Sequence, residues 1–139
     1  MELHTAEYAA LFRPALNNFL RHRFGDLHPV HGGGDDTAGK TSAFAGGPWD
    51  PKLQHGAAPS SLICWAVERL PAPAPMRVAR LTVDLMRPVP VAPLTVETEV
   101  LREGRKIQLC AVRLKANGVL TVAATVLKAY RWQYVVSGV

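Results

Sequence analysis

Four consecutive residues, Gln54-His55-Gly56-Ala57, stand where a loop runs into an apolar helical stretch, and their types suit chemistry on a carbonyl group. The segment Asp50-Pro51-Lys52-Leu53-Gln54-His55-Gly56-Ala57-Ala58-Pro59 is irregular and Gly/Pro-rich, and it opens directly into the run from Ser60 to Leu70. The N–H groups of Gly56 and Ala57 are therefore expected at the positive end of a helix, where they could stabilise the oxyanion of a tetrahedral intermediate. Gly56 would let the backbone approach a ligand closely. Gln54 or His55 could orient substrate or water, and each could equally bond its own loop backbone. Asp50 is the preferred supporting carboxylate. Ser60 and Ser61 read as helix caps within reach of a ligand, Glu68 as a helix-end carboxylate, Asp84 as a strand-face partner for an arginine, and Trp49 as core.

Two other glycine-rich stretches carry weaker signals. His31-Gly32-Gly33 could present N–H groups to an anion, but no helix follows it. Gly34-Asp35-Asp36-Thr37-Ala38-Gly39-Lys40-Thr41 fits the phosphate-loop spacing G-x-x-x-x-G-K-[ST]. A working phosphate loop follows a buried strand and opens a helix, whereas Leu27-His28-Pro29-Val30-His31 precedes this one and Asp35 and Asp36 would repel phosphate. A nucleotide hydrolase is the least favoured reading.

The elements that must hold the loop follow from periodicity. A helix is expected over Ala58–Leu70: Ile63, Ala66, Val67 and Leu70 recur at helical spacing, and Leu62, Cys64 and Trp65 leave it little polar face. Pro71-Ala72-Pro73-Ala74-Pro75 stops it. Four strand-like runs come next. Arg77 to Arg87 alternates Ala79, Leu81, Val83 and Leu85 against Arg80, Thr82, Asp84 and Met86. Leu94 to Leu101 and Lys106 to Leu114 are joined by a turn at Glu103-Gly104, and Asn117-Gly118 predicts a type I′ turn into the longest strand, Val119 to Trp132. Upstream, residues 1–24 read as a helix with the stripe Phe12, Ala15, Leu16 and Phe19, and Gly25 to Pro51 as a long loop with at most a short strand at Thr41–Phe44.

At 139 residues the chain suits one principal domain, 47–139, preceded by the extension 1–46. The net charge of +5 is uneven: residues 1–46 carry four Lys/Arg against five acids, and the remainder twelve against six. An anionic ligand fits that excess. Nucleic acid fits poorly, because the cations lack interleaved aromatic residues. Cys64 and Cys110 lie in apolar runs without metal-ligand spacing and read as buried thiols of a reducing compartment. The amino terminus has no signal-peptide pattern and no apolar stretch approaches a membrane span, so a cytoplasmic protein with no membrane partner, metal or separate cofactor is expected.

From Gly47 to Trp132 the chain resembles the amino-terminal domain of TesB-like acyl-CoA thioesterases, in the loop GPWDPKLQHG, the helix APSSLICWAVERL, the strand MRVARLTVDLMRPVPV with its Arg87-Pro88, and LTVETEVLREGRKIQL. The resemblance implies an α+β hotdog fold, in which an antiparallel sheet wraps the central helix and two such units pair with an acyl thioester between them. On that basis the expected activity is hydrolysis of an acyl-CoA. Asp50, Gln54, His55 and Gly56 would be the catalytic set, with Ala57, Ser60, Arg87, Arg105 and Lys106 contacting the substrate and the three cations meeting the coenzyme A phosphates. The alternative is a non-catalytic acyl-CoA-binding or assembly module. Members of the group usually carry two hotdogs, and the chain has room for one, so pairing with a copy of itself is expected. Related single-hotdog thioesterases place a carboxylate nine residues after the loop histidine, where this chain has Cys64.

Overall fold

The computed structural model describes residues 45–130 and, upstream, two short strands, β1 (His28–Pro29) and β2 (Thr37–Gly39). The expected helix over 1–24, the stripe at Phe12, the strand at Thr41–Phe44 and the end of the last strand beyond Tyr130 lie outside these residues. Helix α1 (Ala57–Glu68) precedes four long strands, β3 (Met76–Leu85), β4 (Leu94–Glu103), β5 (Ile107–Ala116) and β6 (Val119–Tyr130). All neighbours are antiparallel, in the order β1-β2-β4-β5-β6-β3. The stretch expected to be loop from Gly25 to Pro51 therefore contributes two strands. The centre of the phosphate-loop-like motif, Thr37–Gly39, pairs with Leu94–Val96, so its backbone serves the sheet.

The helix starts one residue earlier than expected and stops two residues earlier. Pro59 fits near its start because N–H groups of a first turn have no intrahelical acceptor. At the other end the Arg69 N–H bonds Ala66 O at 3.2 Å and the Leu70 N–H bonds Val67 O at 3.1 Å, tightening the last turn before Pro71 forces Leu70 out of helical geometry. Ala58, Leu62, Ile63, Ala66 and Val67 are buried against the sheet, together with Leu94, Val96, Cys110, Val112, Leu114, Val122, Ala124 and Val126. The opposite flank, Ser61, Cys64, Trp65 and Glu68, is only half-buried, so α1 is covered on one side rather than all round.

Alternation along the strands sets the core face, with one shift. A bulge between Val78 and Arg80 displaces Ala79, which is exposed rather than on the core face, and Met76 and Val78 share that face with Leu81 and Val83. The Asn117-Gly118 turn has φ of 50° and 75°, the positive values that a type I′ turn requires.

Of the three buried polar residues among those described, Thr121, Gln108 and Lys128, the last two form a network under the end of α1. Lys128 is 1% exposed, and its Nζ donates to Val67 O (3.2 Å), Leu70 O (3.2 Å) and Gln108 Oε1 (3.0 Å). Gln108, fully buried beside it, donates from Nε2 to Pro71 O at 2.8 Å and to Glu103 Oε2 at 2.7 Å. Lys128 thus caps the carboxy-terminal carbonyls of α1 from strand β6, and the Gln108 amide links its charge to Glu103.

Candidate functional site

The loop that leads into α1 is fixed by backbone bonds on both sides. The Gly47 N–H bonds Leu53 O (2.6 Å), the His55 N–H bonds Ala45 O (3.1 Å) and the Gln54 N–H bonds Val89 O (2.7 Å), so residues 47–55 form a closed turn held against the segment after β3. Trp49 sits at the tip of that turn and is 92% exposed. The expectation that it belongs to the core is incorrect: the 47–53 closure carries its side chain away from the sheet.

A cavity of about 350 Å³ opens beside the helix start, lined by Gln54, Gly56, Pro59, Leu85, Met86, Arg87, Pro88 and Val89. Its walls are mostly apolar, with the amide of Gln54 and the guanidinium of Arg87 as polar side chains. Gln54 is anchored through Nε2 on Pro90 O at 2.8 Å. Arg87 is held by its backbone, whose N–H reaches Thr121 O at 3.2 Å, as does that of Met86 at 2.9 Å. The N–H of Ala58 bonds His55 O at 3.0 Å, whereas those of Gly56 and Ala57 have no acceptor among the described residues. Two donors thus stand free at the positive end of the α1 dipole, next to the cavity.

The remaining candidates are placed differently. Gly56 has φ −58° and ψ −24°, ordinary helical values, and a Cβ there would meet only Leu85 Cδ1 at 3.8 Å, so its backbone conformation does not require glycine. His55 is half-buried, and its main chain is used in both directions by the bonds to Ala45 and Ala58. Asp50 turns back on its own loop, Oδ1 accepting the Lys52 N–H at 2.8 Å. Neither side chain is in the cavity lining. Ser60 and Ser61 are not caps: their hydroxyls donate to Gly56 O and Ala57 O, both at 2.8 Å, one turn back. Glu68 pairs with Arg77 at 3.3 Å, while Asp84 lacks the arginine expected for it among the described residues. Arg87 and the pair Arg105 and Lys106 lie at opposite ends of the sheet. Arg87 bonds Thr121 and Lys106 O accepts from the Tyr130 N–H, and those points, nine residue steps apart along β6, are separated by about 30 Å.

Burial, followed by the Glu68 charge, pushes the Cys64 thiol above its usual range, so it is a neutral thiol at neutral pH and does not stand in for a carboxylate. Burial likewise raises Cys110. No group of three or more His, Cys, Asp or Glu among the described residues could hold a metal ion, and no described helix is long and apolar enough to cross a membrane. The sequence reading missed Pro59, Leu85 and Val89 as lining residues. Met86 lines the cavity as well, and Trp65 stacks under Arg69, 4.1 Å from guanidinium carbon to ring centroid.

A helix embraced by an antiparallel sheet, with its amino terminus opening on an apolar cavity, defines a hotdog domain. The sequence profile of the acyl-CoA thioesterase N-terminal domain matches residues 45–130, and the chain belongs to that family. Solved structures of the same fold include the tesB protein of Mycobacterium avium subs. paratuberculosis, 18% identical with a TM-score of 0.65 over 87% of this chain and 44% of that one. A hot dog protein of unknown function from Alicyclobacillus acidocaldarius is 19% identical with a TM-score of 0.64, over 90% of this chain and 44% of that one. A Bacillus halodurans protein solved with CoA is 15% identical with a TM-score of 0.59, over 68% of this chain and 65% of that one. The chain therefore spans about two fifths to two thirds of the length of these proteins. No curated protein matches it.

Proposed function

We propose that this chain binds an acyl-CoA with its thioester at the amino terminus of α1 and hydrolyses it to the free acid and thiol, working as a dimer of hotdog units. The observation that carries the reading is the coincidence of the two free N–H groups, Gly56 and Ala57, with an apolar cavity large enough for part of an acyl chain. The carbonyl oxygen would receive those donors, and water oriented by the Gln54 amide would add to the carbonyl carbon. As the C–S bond breaks, the proton lost by the water passes to the departing thiolate. His55 and Asp50, next along the loop, are the residues proposed to relay it. Arg87 at the cavity wall suits a phosphate of the coenzyme. The family membership and the CoA-bound Bacillus protein support the choice of ligand.

The lining favours one rival. Gln54 and Arg87 are its only side chains with polar heads, and the lining offers no carboxylate or imidazole to act as a general base, which suits a module that binds acyl-CoA without cleaving it. A thiol-release assay with acyl-CoAs of several chain lengths separates the two. Hydrolysis predicts turnover that falls at least tenfold in Asp50→Asn or His55→Ala; saturable binding with no thiol released selects the binding module.

A further inference from the structure

Helix α1 covers one face of the sheet, and no described helix or strand lies on the other. The registers of β4, β5, β6 and β3 set the side chains of that outer face in rows across the strands. Arg102, Leu109, Leu127 and Arg80 form one row, Glu99, Ala111, Thr125 and Thr82 the next, and Glu97, Arg113, Ala123 and Asp84 the third. With Ile107 and Ala129 beyond the first row, the two middle strands present an apolar band of Ile107, Leu109, Ala111, Ala123, Leu127 and Ala129, all only half-buried. The band ends in unmatched charges of opposite sign. At one end the side chains of Arg80, Arg102 and, in the adjoining turn, Arg105 have no ion-pair or hydrogen-bond partner among the described residues. At the other Asp84 has none, while Glu97 and Glu99 pair with Lys115 and Arg113.

A half-buried apolar band favours a second layer, and an amphipathic helix can supply it. The chain carries such a segment ahead of β1, outside the described residues: the stripe Phe12, Ala15, Leu16 and Phe19, whose spacing predicts a helix with Pro14 suited to its first turn. Its reach and its polarity both fit the outer face. His28 pairs with Ala38 and Ala38 with Thr95, so the chain enters β1 one row beyond Glu97, at the Asp84 end of the band. Three to four strand spacings, about 15–20 Å, separate β1 from the band, and the nine residue steps from Phe19 to His28 reach up to about 30 Å. As helix, Phe12 to Phe19 rises about 10 Å, close to the roughly 13 Å from Leu127 to Ala123. Entry from that end sets Arg21 and Arg23, which outnumber Asp26 after the stripe, over Asp84. Glu2 and Glu7, before the stripe, then fall toward Arg80, Arg102 and Arg105, with Arg13 between the two ends. A helix laid the other way would set like charges together.

We propose that the segment from Phe12 to Phe24 forms a helix that docks its apolar stripe on the outer face of β5 and β6, running from the Arg80–Arg102 row toward Asp84 and making a second layer opposite α1. The family profile begins at residue 45, so this cover belongs to the chain's own extension.

The full-length pair Leu16→Cys/Thr125→Cys in a Cys64→Ser background, with Cys110 fully buried, tests the contact. A short bis-maleimide should join the two within one chain, giving a product of monomer size on a denaturing gel, at least about tenfold faster than in Leu16→Cys/Ser61→Cys, whose serine stands on the free flank of α1. Limited trypsin reads the same docking without new cysteines: cleavage after Arg21 and Arg23 should accelerate about tenfold or more in Leu127→Glu, with far-ultraviolet circular dichroism confirming the fold. No link to Thr125→Cys, equally fast linking to Ser61→Cys, or cleavage unchanged by Leu127→Glu would overturn the proposal. A product that joins two chains would overturn it too, and would give the face to a second copy.

Discussion

Replacing Lys128 with Met keeps the apolar stem in place and removes the ammonium, which leaves Val67 O, Leu70 O and Gln108 Oε1 without the donor they share. Hydrogen bonds from a charged donor are worth about 1.5–3 kcal/mol each, but burying the charge is costly, and the two effects oppose each other. Val67 O keeps the Leu70 N–H at 3.1 Å, Gln108 Oε1 keeps the Cys110 thiol at 3.8 Å, and Leu70 O, partly buried, can turn to water, so no acceptor is left wholly bare. The expected net loss is about 1–3 kcal/mol, a sizeable part of the roughly 5–15 kcal/mol that holds a domain of this size. The sign with pH is opposite to that of an exposed ion pair. Burial, the largest influence, lowers the Lys128 pKa from its ordinary value of 10.5, against smaller upward effects of Cys110, Glu68 and Glu103. Between the lowered native value and 10.5 the unfolded chain holds more protons than the native one, so the lysine's contribution to stability rises with pH in that window. Urea unfolding of the wild type and Lys128→Met at pH 7 and just below 10 measures both effects. A variant as stable as the wild type at pH 7, or a difference between them that shrinks at alkaline pH, would refute the account of Lys128 as a buried cap.

Gly118→Ala should cost about 1 kcal/mol from backbone strain alone, since φ is +75° and a Cβ there meets nothing within 4 Å; thermal unfolding reads it. Ile63→Ala, at a position with no exposed surface between α1 and the sheet, should cost about 2–5 kcal/mol by denaturant titration. Gly56→Ala should fold with unchanged or slightly higher stability, because its backbone is already helical, while raising KM by placing a methyl near Leu85 at the cavity; an unchanged KM would remove Gly56 from the substrate's path.

Helix α1 and strands β3 to β6 were legible because their periods of 3.6 and 2 are written in residues that end up in one core, and Asn117-Gly118 states its turn in its own conformational preference. What escaped depends on long-range placement. The bulge at Val78 and Arg80 moves Ala79 off the face that strict alternation assigns it, and no local residue type announces it. Lys128 lies in phase with Val122, Ala124 and Val126, yet a lysine reads as surface until the carbonyls of α1, some sixty residues earlier, are seen above it. The loop–helix junction of the site was legible from Gly56 onward. Which of its neighbours face the cavity was not, because β3 brings Leu85 to Arg87 there while the length of β6 keeps Arg105 and Lys106 at the far end.

The central claim is that the first N–H groups of α1 act on the thioester oxygen, and Ala57→Pro addresses it most directly. Proline is well tolerated at the first position of a helix, and Gly56 before it, though helical at φ −58° and ψ −24°, has no Cβ to clash with the ring and can relax, so the variant deletes one donor at small cost to the turn. With circular dichroism confirming the fold, thiol release from an acyl-CoA that the wild type hydrolyses should fall in kcat by about 10²–10³ with little change in substrate affinity. A folded Ala57→Pro protein that releases thiol at the wild-type rate would contradict the claim.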